Sequence, residues 1–297
     1  MLKQLVILSG KGGTGKTSLT AAFAHLAYAG PARRQAALVD ADVDAANLEL
    51  ALRPQRGPAH TFYGGAAAQI NPARCDGCGA CYAACRFDAL IPQPGGGYAV
   101  DPIACEGCAA CYYVCPSDAV RLEPQIAGAW FLSASRFGPL AHAELLPAQE
   151  NSGKLVTLVK QQGRTLALQI GADLLLVDGP PGIGCPAIAA ASGADLALLT
   201  TEPTAAGLHD LARALEMTRF FRLPVVVCVN KADLYPAGAT EIEAFCRAND
   251  LALLGRIPYD ETVCAAMVQG EPVTAYRPNS PAAQALRALW QAVAERL

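Results

Sequence analysis

Two cysteine runs with identical spacing lie thirty residues apart in this chain of 297 residues, and they limit its folding more than any other feature. Each run has the form Cys-x2-Cys-x2-Cys-x3-Cys, and the eight members are Cys75, Cys78, Cys81, Cys85, Cys105, Cys108, Cys111 and Cys115. This short spacing lets three thiolates from one turn-rich loop face the same side, where they can bind a soft metal centre. The doubled run therefore predicts two such loops.

The composition around the cysteine runs differs from that of the rest of the chain. Between Arg53 and Pro124, glycine, proline and cysteine dominate, and the long apolar periodicity is lost. Cys-Asp-Gly-Cys-Gly-Ala-Cys-Tyr in the first run returns as Cys-Glu-Gly-Cys-Ala-Ala-Cys-Tyr in the second, an internal repeat with residues 95–97 in the turn between its halves. We predict a small inserted α+β module at residues 58–125, within a discontinuous domain of residues 1–57 and 126–297.

Outside this stretch, short apolar runs alternate with helical patterns. Residues 5–9 form the first run, which ends at a Gly-rich loop, and a helical pattern follows as far as Tyr28. Further strands are predicted at residues 36–39, 174–177, 196–200, 225–229 and 253–257, and residues 130–132 are a candidate strand that returns to the same sheet. The alternation predicts an α/β fold with a mostly parallel, doubly wound sheet flanked by helices.

The Gly-rich loop has the composition of a phosphate-binding loop. Its residues are Gly10, Lys11, Gly12, Gly13, Thr14, Gly15, Lys16, Thr17 and Ser18. Backbone N–H groups of such a loop, at the N-terminus of a helix, form a cradle for anions. We expect Lys16 to reach the β- and γ-phosphates of a nucleotide and the Thr17 hydroxyl to bind Mg²⁺.

Composition narrows the classes of function. Hydrophobic residues make up 53% of the chain, and every apolar stretch is interrupted before the length that a transmembrane helix needs. The net charge is −3 and no run of lysine or arginine occurs, so nothing favours binding to nucleic acid or to an anionic membrane. The apolar N-terminal residues enter the loop too soon for a signal peptide. Twelve cysteines in such a chain indicate metal binding in a reducing cytoplasm.

With lysine at position 11, the loop resembles the deviant Walker A motif of the MinD, ParA and nitrogenase-iron-protein superfamily, in its MinD/Mrp-like branch. The resemblance implies an ATPase in which Lys11 crosses a dimer interface to the partner's nucleotide. Asp40 and Asp42 match the switch I segment, which implies that both lie beside Mg²⁺ and that Asp42 positions the attacking water. Asp178 matches the Walker B aspartate that holds Mg²⁺ through water. Such hydrolysis depends on positioning and charge neutralisation.

The same resemblance extends to later residues. Gly182 is expected to place its N–H group on the γ-phosphate, and Asn230, Asp233 and Pro258 are expected at the nucleobase. Asn-Lys-x-Asp is also the guanine-reading motif of GTPases, so a GTPase stays open as an alternative, although Lys11 and residues 257–260 favour ATP. A solvated loop lysine and a solvated acidic turn at residues 40–44 are the competing structural interpretations.

The cysteine spacing resembles that of bacterial two-cluster ferredoxins, in which the fourth cysteine of each run binds the other run's cluster. This resemblance implies two 4Fe-4S clusters. One cluster is then bound by Cys75, Cys78, Cys81 and Cys115, and the other by Cys85, Cys105, Cys108 and Cys111. Zinc sites also use Cys-x2-Cys pairs, but a doubled four-cysteine run that ends in Cys-Pro is a poor zinc pattern. Arg86 follows Cys85 where proline follows Cys115, which makes the two sites electrostatically different.

Four cysteines lie outside the runs. Cys228 is expected in the core of a strand, and Cys246 and Cys264 are assigned structural roles. Cys185 lies seven residues after Asp178, the offset of a cluster-binding cysteine in the nitrogenase iron protein, so a thiol at a dimer interface or a metal contact stays open beside a packing role. The C-terminal residues 281–297 carry apolar side chains at helical spacing, and they predict a helix packed on the domain and not a membrane anchor.

Three functions are compatible with these patterns. The first is an ATP-driven dimer, formed with a second copy or a related ATPase, that controls electron transfer through two 4Fe-4S clusters to a redox protein. The second is an assembly ATPase that delivers a cluster or metal cofactor to a partner protein. A MinD- or ParA-type positioning switch is the weakest of the three. Eight thiolates would hold both clusters firmly, which favours electron transfer over cluster donation. Hydrolysis is expected to be slow and stimulated by the partner.

Overall fold

The computed structural model describes residues 1–31, 33–147 and 152–297, and the chain divides into two units. The first unit contains Met1–His60, Ala129–Leu145 and Ser152–Leu297, and the second contains Thr61–Gly128 with a short stretch that begins at Leu146. The sequence predicts the inserted module at residues 58–125. The second unit begins and ends a few residues later, because one strand begins at His60 and another continues to Ser135.

The described residues form eleven strands and eleven helices. The strands are β1 Lys3–Ser9, β2 Ala36–Asp40, β3 His60–Ile70, β4 Leu90–Pro92, β5 Tyr98–Val100, β6 Val120–Ser135, β7 Gly138–Leu145, β8 Leu174–Pro181, β9 Leu196–Thr201, β10 Val225–Asn230 and β11 Ala252–Ile257. The helices are α1 Lys16–Ala29, α2 Leu48–Leu52, α3 Ala80–Ala84, α4 Ala110–Tyr113, α5 Ser152–Gln169, α6 Cys185–Ala191, α7 Ala205–Phe220, α8 Pro236–Ala248, α9 Glu261–Val268, α10 Val273–Tyr276 and α11 Pro281–Ala294.

The first unit is built on a sheet in the strand order β11-β10-β9-β1-β8-β2-β7, in which these neighbours pair in parallel. Leu5, Val6 and Ile7 are consecutive in β1 and all fully buried, so both faces of the sheet are covered. Strands covered on both faces are typical of parallel sheets flanked by helices. The predicted α/β fold with a mostly parallel, doubly wound sheet is therefore confirmed.

The hairpin of β6 and β7 is only partly predicted by the sequence. The strand expected at residues 130–132 is present as part of β6, and the two-residue turn Arg136 and Phe137 leads into β7. Leu140 and Ala141 of β7 are buried, but Pro139 and His142 interrupt the apolar run that signals a strand. A buried histidine is therefore the reason why β7 has no clear sequence pattern.

The C-terminal helix α11 packs on the first unit, as the sequence predicts. Leu286, Leu289, Trp290 and Val293 are all buried, and the Trp290 ring lies 5.1 Å from the ring of Phe23 in α1. The apolar stripe of the helix is thus used in the core. Within the described residues, no helix has the length and apolar character needed to cross a membrane.

The second unit repeats its backbone pattern after thirty residues. The equivalent pairs with positive φ angles are Gly77 and Gly107, Gly79 and Ala109, and Asp88 and Asp118. Short helices follow Gly79 and Ala109 in each half. The halves also exchange equivalent hydrogen bonds, because the N–H of Asn71 donates to the Ala119 carbonyl and the N–H of Asp101 donates to the Ala89 carbonyl, both at 2.8 Å.

The core of the second unit is small. It consists of Ala68, Cys81, Ala89, Leu90, Cys111 and Val120, with Ile70, Cys85, Tyr98, Val100, Ala104, Cys105, Cys115 and Leu122 packed against it. β4 and β5 form a short antiparallel pair, and β3 is hydrogen-bonded to β6. Small domains with so few apolar residues usually depend on disulfides or metals for stability.

Candidate functional site

The phosphate-binding loop connects β1 to α1. Gly15 has a φ of 91°, and a side chain there would collide with the amide of Asn230. Lys16 is buried, and its ammonium group donates to the Ser9 hydroxyl at 3.0 Å, which in turn donates to the Lys11 carbonyl oxygen at 2.6 Å. Burial lowers the pKa of Lys16, an effect that nearby carboxylates partly offset.

Two buried carboxylates lie side by side at the ends of β2 and β8. Asp40 and Asp178 are register partners in this parallel pair. The Thr20 hydroxyl of α1 donates to Asp178 Oδ1 at 2.9 Å. Asp40 accepts the N–H groups of Asp42 at 3.1 Å and Leu48 at 3.0 Å, so it fixes both the turn after β2 and the start of α2.

The charge of these carboxylates is poorly compensated. Burial raises the pKa of both Asp178 and Asp40, and the neighbouring charge of Asp178 adds to the effect on Asp40. Asp178 Oδ2 is buried without a hydrogen-bond partner among the described residues. A hard divalent cation prefers oxygen ligands and would neutralise both carboxylates. The site therefore fits Mg²⁺, which the Thr17 hydroxyl and, directly or through water, Asp40 and Asp178 would hold.

The side chain of Lys11 is bound to an acidic residue of its own chain. Its ammonium lies 2.7 Å from Glu202 Oε2, while Lys231 lies 2.5 Å from Glu202 Oε1 and donates to the Gly13 carbonyl at 3.2 Å. Burial alone would raise the pKa of Glu202, but the two lysines outweigh it and hold that pKa below its usual value. Lys11 is thus an ion-paired side chain and not a solvated one.

Asn230 and Asp233, which the sequence assigns to the nucleobase, are used to hold loops together. Asn230 Nδ2 donates to the Thr14 carbonyl at 2.8 Å, and its Oδ1 accepts the Lys231 N–H at 3.0 Å. Asp233 Oδ1 accepts the N–H of Tyr259, the residue after Pro258, at 2.6 Å. The loop after β10 is therefore fixed beside the phosphate-binding loop, and it holds the loop after β11 in turn.

The N–H group of Gly182, which the sequence assigns to the γ-phosphate, has a hydrogen-bond partner within the chain. The φ of Gly182 is 88°, and its N–H donates to the Ser9 carbonyl at 2.9 Å. The end of β8 folds onto the end of β1, so the donor is already used. A contact with a γ-phosphate would require this hydrogen bond to break.

A cavity of about 500 Å³ opens at the loop, within the size range of small-molecule sites. Its lining combines expected residues with others that the sequence does not single out: Gly12, Gly13, Gly15, Lys16, Thr17, Ser18, Asp42, Asp44, Ala45, Asn47, Pro180, Pro181, Pro186 and Met267. In the described part of the chain, Lys11, Asn230, Asp233 and Pro258 are not part of this lining. Among the described residues, the cavity therefore lies on the Lys16, Thr17 and Asp42 side of the loop, and Asp40, Asp178 and Gly182 do not line it.

Two cavities in the second unit are each lined by four cysteines. One is lined by Cys75, Cys78, Cys81 and Cys115, and the other by Cys85, Cys105, Cys108 and Cys111. In each cavity the fourth cysteine comes from the other run. All twelve cysteines of the chain are free thiols, and Cys78 and Cys108 are exposed. The grouping is the one that the ferredoxin resemblance implies.

The cysteines that line each cavity do not have the arrangement of a single-ion site. In the described part of the chain, no three His, Cys, Asp or Glu side chains converge as the ligands of a single metal ion would. Four thiolates of one zinc site would each lie about 2.3 Å from the same ion. Backbone N–H groups approach the sulfurs, from Ala68 to Cys105 at 3.5 Å and from Ala119 to Cys115 at 3.3 Å.

The remaining cysteines are separate from these cavities. Cys228 is buried in β10 and Cys246 in α8, and burial raises their pKa values to about 12 and about 11. Cys185 is exposed at the start of α6 and packs beside Gly153, and Cys264 is exposed on α9. Cys228 and Cys246 are therefore unreactive core residues.

Sequence reasoning did not single out Ser9, Thr20, Glu202 or Met267. Glu202 directly follows β9 and lies at the same sheet edge as Asp40, so the rule that parallel strand ends meet at one edge could have found it. Thr20 lies one helical turn after Lys16 on α1. Met267 carries no sequence signal, because α9 reaches the cavity only through tertiary packing.

Comparison with known proteins relates most of the chain to one family. The family profile described as the CobQ/CobB/MinD/ParA nucleotide binding domain matches residues 5–273. An uncharacterized protein of Methanocaldococcus jannaschii is 32% identical over 231 residues, which cover 78% of this chain and 79% of that protein.

Two further similarities concern an iron–sulfur protein and the fold. An iron-sulfur cluster carrier protein of Deinococcus radiodurans is 33% identical over 135 residues, which cover 42% of this chain and 39% of that protein. The structure of MinD from Pyrococcus horikoshii, complexed with Mg-ADP, matches with a TM-score of 0.62 at 22% identity, over 99% of this chain and 96% of that chain. At that identity the likeness shows the fold.

Proposed function

The chain belongs to the CobQ/CobB/MinD/ParA family of nucleotide-binding domains and is a P-loop ATPase, and from this premise we propose that it couples its nucleotide cycle to electron transfer through two 4Fe-4S clusters. The observation that carries the proposal is the pair of cavities in the second unit, each lined by four free cysteines drawn from both runs. Cubane clusters use four thiolates in this way, one for each iron atom.

In the first unit, the chain's residues bind the nucleotide with its Mg²⁺ and orient the attacking water. The loop N–H groups and Lys16 hold the phosphates, and Thr17 with the buried carboxylates holds Mg²⁺, which neutralises phosphate charge when it is bound. Asp42 lines the cavity and orients the attacking water. A second copy or a related ATPase pairs with the chain when nucleotide is present.

In the second unit, four thiolates hold each cluster firmly and still leave it accessible to a redox partner. Bound clusters store and pass single electrons. Cys78 and Cys108 are exposed, so one edge of each cavity reaches the surface, where a redox partner could accept an electron. Thiolate-bound clusters need a reducing compartment, and the cytoplasm is therefore part of the proposal.

The first test compares two exposed cysteines. Cys78→Ala should lower the iron and sulfide content of anaerobically purified protein from about eight iron atoms per chain and change the electron paramagnetic resonance signal of one cluster. Cys264→Ala, which removes an exposed thiol outside both cavities, should change neither. Equal iron content in wild type and Cys78→Ala, or zinc in place of iron, would contradict the proposal. Loss of iron in Cys185→Ala would assign that thiol to a metal site.

Cluster assembly on a partner protein is the second candidate, favoured by the similarity to an iron-sulfur cluster carrier protein. The two functions differ in what leaves the protein. A carrier should transfer iron and sulfide to an apo-ferredoxin acceptor on addition of Mg·ATP. An electron carrier should instead pass electrons to a redox protein and keep its own iron.

Adenine is the base that we assign to the site. The Asn-Lys-x-Asp segment at residues 230–233 also suits guanine, whose N1 and N2 donors would pair with the Asp233 carboxylate. Competition of ATP and GTP for a fluorescent ATP analogue separates the two assignments. ATP should compete at lower concentration, and stronger competition by GTP would reverse the assignment.

A further inference from the structure

Glu202 is shared by two lysines beside the phosphate-binding loop. Its two carboxylate oxygens are bound separately, Oε2 to Lys11 at 2.7 Å and Oε1 to Lys231 at 2.5 Å. The Glu202 side chain is 14% exposed, and each lysine side chain is 33% exposed. None of the comparisons or sequence patterns gives this glutamate a role.

Lys11 forms its ion pair with Glu202 and is not part of the described lining of the nucleotide cavity. In the described residues, the cavity is lined by the neighbours Gly12 and Gly13 but not by Lys11. The Lys11 side chain is nevertheless one third exposed, so a group from outside the chain can approach it. Lys11 is therefore placed to act on something other than its own bound phosphates.

Release of Lys11 would leave no isolated charge behind. Glu202 would keep its contact with Lys231, which is itself fixed by the Gly13 carbonyl at 3.2 Å. A triphosphate carries more charge than one carboxylate and competes well for a lysine ammonium. When a phosphate replaces the Glu202 carboxylate as the partner of Lys11, each charged group thus keeps a partner. The free-energy cost of the exchange is therefore small.

We propose that Glu202 is a positioning residue that holds Lys11 within its own chain until a phosphate group of a nucleotide bound to a second copy takes its place. This inference rests on the nucleotide-dependent pairing in the proposed function. Glu202 then sets how readily two copies pair, because each copy must give up one Lys11–Glu202 contact. A symmetric pair breaks two such contacts.

The test measures self-association of Glu202→Gln by sedimentation velocity with Mg²⁺ and a non-hydrolysable ATP analogue. A dimer that no longer has to break one partly exposed ion pair should have a dissociation constant about fivefold lower. A symmetric dimer breaks two such ion pairs, so Glu202→Gln should dissociate at a concentration about 25-fold lower than wild type. Affinity for the analogue under dilute, monomeric conditions should not change. Glu243→Gln is the matched control, since it removes a glutamate that pairs with Arg247 and Arg256 and does not line the cavity.

A double variant shows whether the effect passes through Lys11. In a Lys11→Ala background, Glu202→Gln should not strengthen pairing, since no ammonium group is left to release. Stronger pairing in that background, or unchanged or weaker pairing in Glu202→Gln alone, would overturn the inference and leave the proposed function intact. If wild type and Glu202→Gln both fail to pair with the analogue, the nucleotide-dependent pairing falls as well.

Discussion

At the scale of single residues, the charged side chains of the nucleotide site lie close together near the carboxyl ends of the parallel strands. Asp40 and Asp178 are buried register partners, and Asp178 Oδ2 has no hydrogen-bond partner in the described structure. A buried carboxylate oxygen without a hydrogen-bond partner is costly, so Asp178 Oδ2 indicates a position where a cation can bind. The sequence could predict these residues because each follows an apolar strand, whereas the ion pair of Lys11 with Glu202 depends on two distant segments.

Replacing Asp178 tests the assignment of the Mg²⁺ site. Asp178→Asn should lower the rate of ATP hydrolysis on the order of 100-fold or more, because the amide removes the charge that holds the ion. Steady-state phosphate release measures the effect. Asp250→Asn is the control, since Asp250 is exposed with a φ of 55°, a conformation that asparagine tolerates. Near wild-type hydrolysis by Asp178→Asn would place the ion elsewhere.

The internal repeat of the second unit contains a strained residue. Ala109 has a φ of 65° where the equivalent Gly79 has 79°. Because alanine is disfavoured there and glycine is not, Ala109→Gly should raise the free energy of unfolding by about 1 kcal/mol.

The opposite change, Gly79→Ala, should lower the free energy of unfolding by at least that amount, since the added Cβ would lie 3.2 Å from the Tyr98 hydroxyl. Urea unfolding followed by circular dichroism measures both variants. A destabilised Ala109→Gly would show that the two halves are not equivalent at this position.

At the scale of elements, the β6–β7 hairpin contains a buried histidine that the sequence could not assign. His142 Nε2 lies 2.8 Å from the Ser133 hydroxyl, and its Nδ1 lies 3.5 Å from the Glu49 carboxylate of α2. β1, α1 and the loop between them were predictable, because local periodicity and glycine content mark them. β7 was not, because its buried polar residue, His142, is accommodated only by neighbours from other elements.

The protonation of His142 gives a pH dependence of stability. Burial, with the charge of Arg56, lowers its pKa from 6.5 to about 4, although Glu144 acts in the opposite direction. Above pH 6.5 the ring is neutral in the folded and unfolded chain. Between 6.5 and 4 only the unfolded chain takes up the proton, so stability is lost as pH falls, by up to about 3 kcal/mol.

The measurement is the free energy of unfolding as a function of pH, for wild type and His142→Gln. The glutamine keeps a polar group for Ser133 and cannot be protonated in this range. The variant should therefore lose less stability than wild type as pH falls from 6.5 towards 4. Parallel curves for the two proteins would show that His142 does not titrate in this way.

At the scale of the whole molecule, the chain joins an ATPase unit to a unit organised around cysteines. The switch I segment and the strand β8 that carries Asp178 lie on either side of the second unit in the sequence. The sequence could predict both units, since each depends on spacing within a short segment. Coupling between the two units does not follow from the spacing within either one, so it is tested by measurement.

The most direct measurement of the central claim is the rate at which dithionite-reduced, cluster-loaded protein reduces oxidised cytochrome c in a stopped-flow instrument under anaerobic conditions. We expect a rate at least about fivefold higher with Mg·ATP than with Mg·ADP or without nucleotide, the size of a typical coupling between sites. Lys16→Ala, which lacks the phosphate-binding ammonium group, should show no ATP effect while retaining its iron. Equal rates for loaded wild-type protein under all three conditions would contradict the claim that nucleotide controls electron transfer.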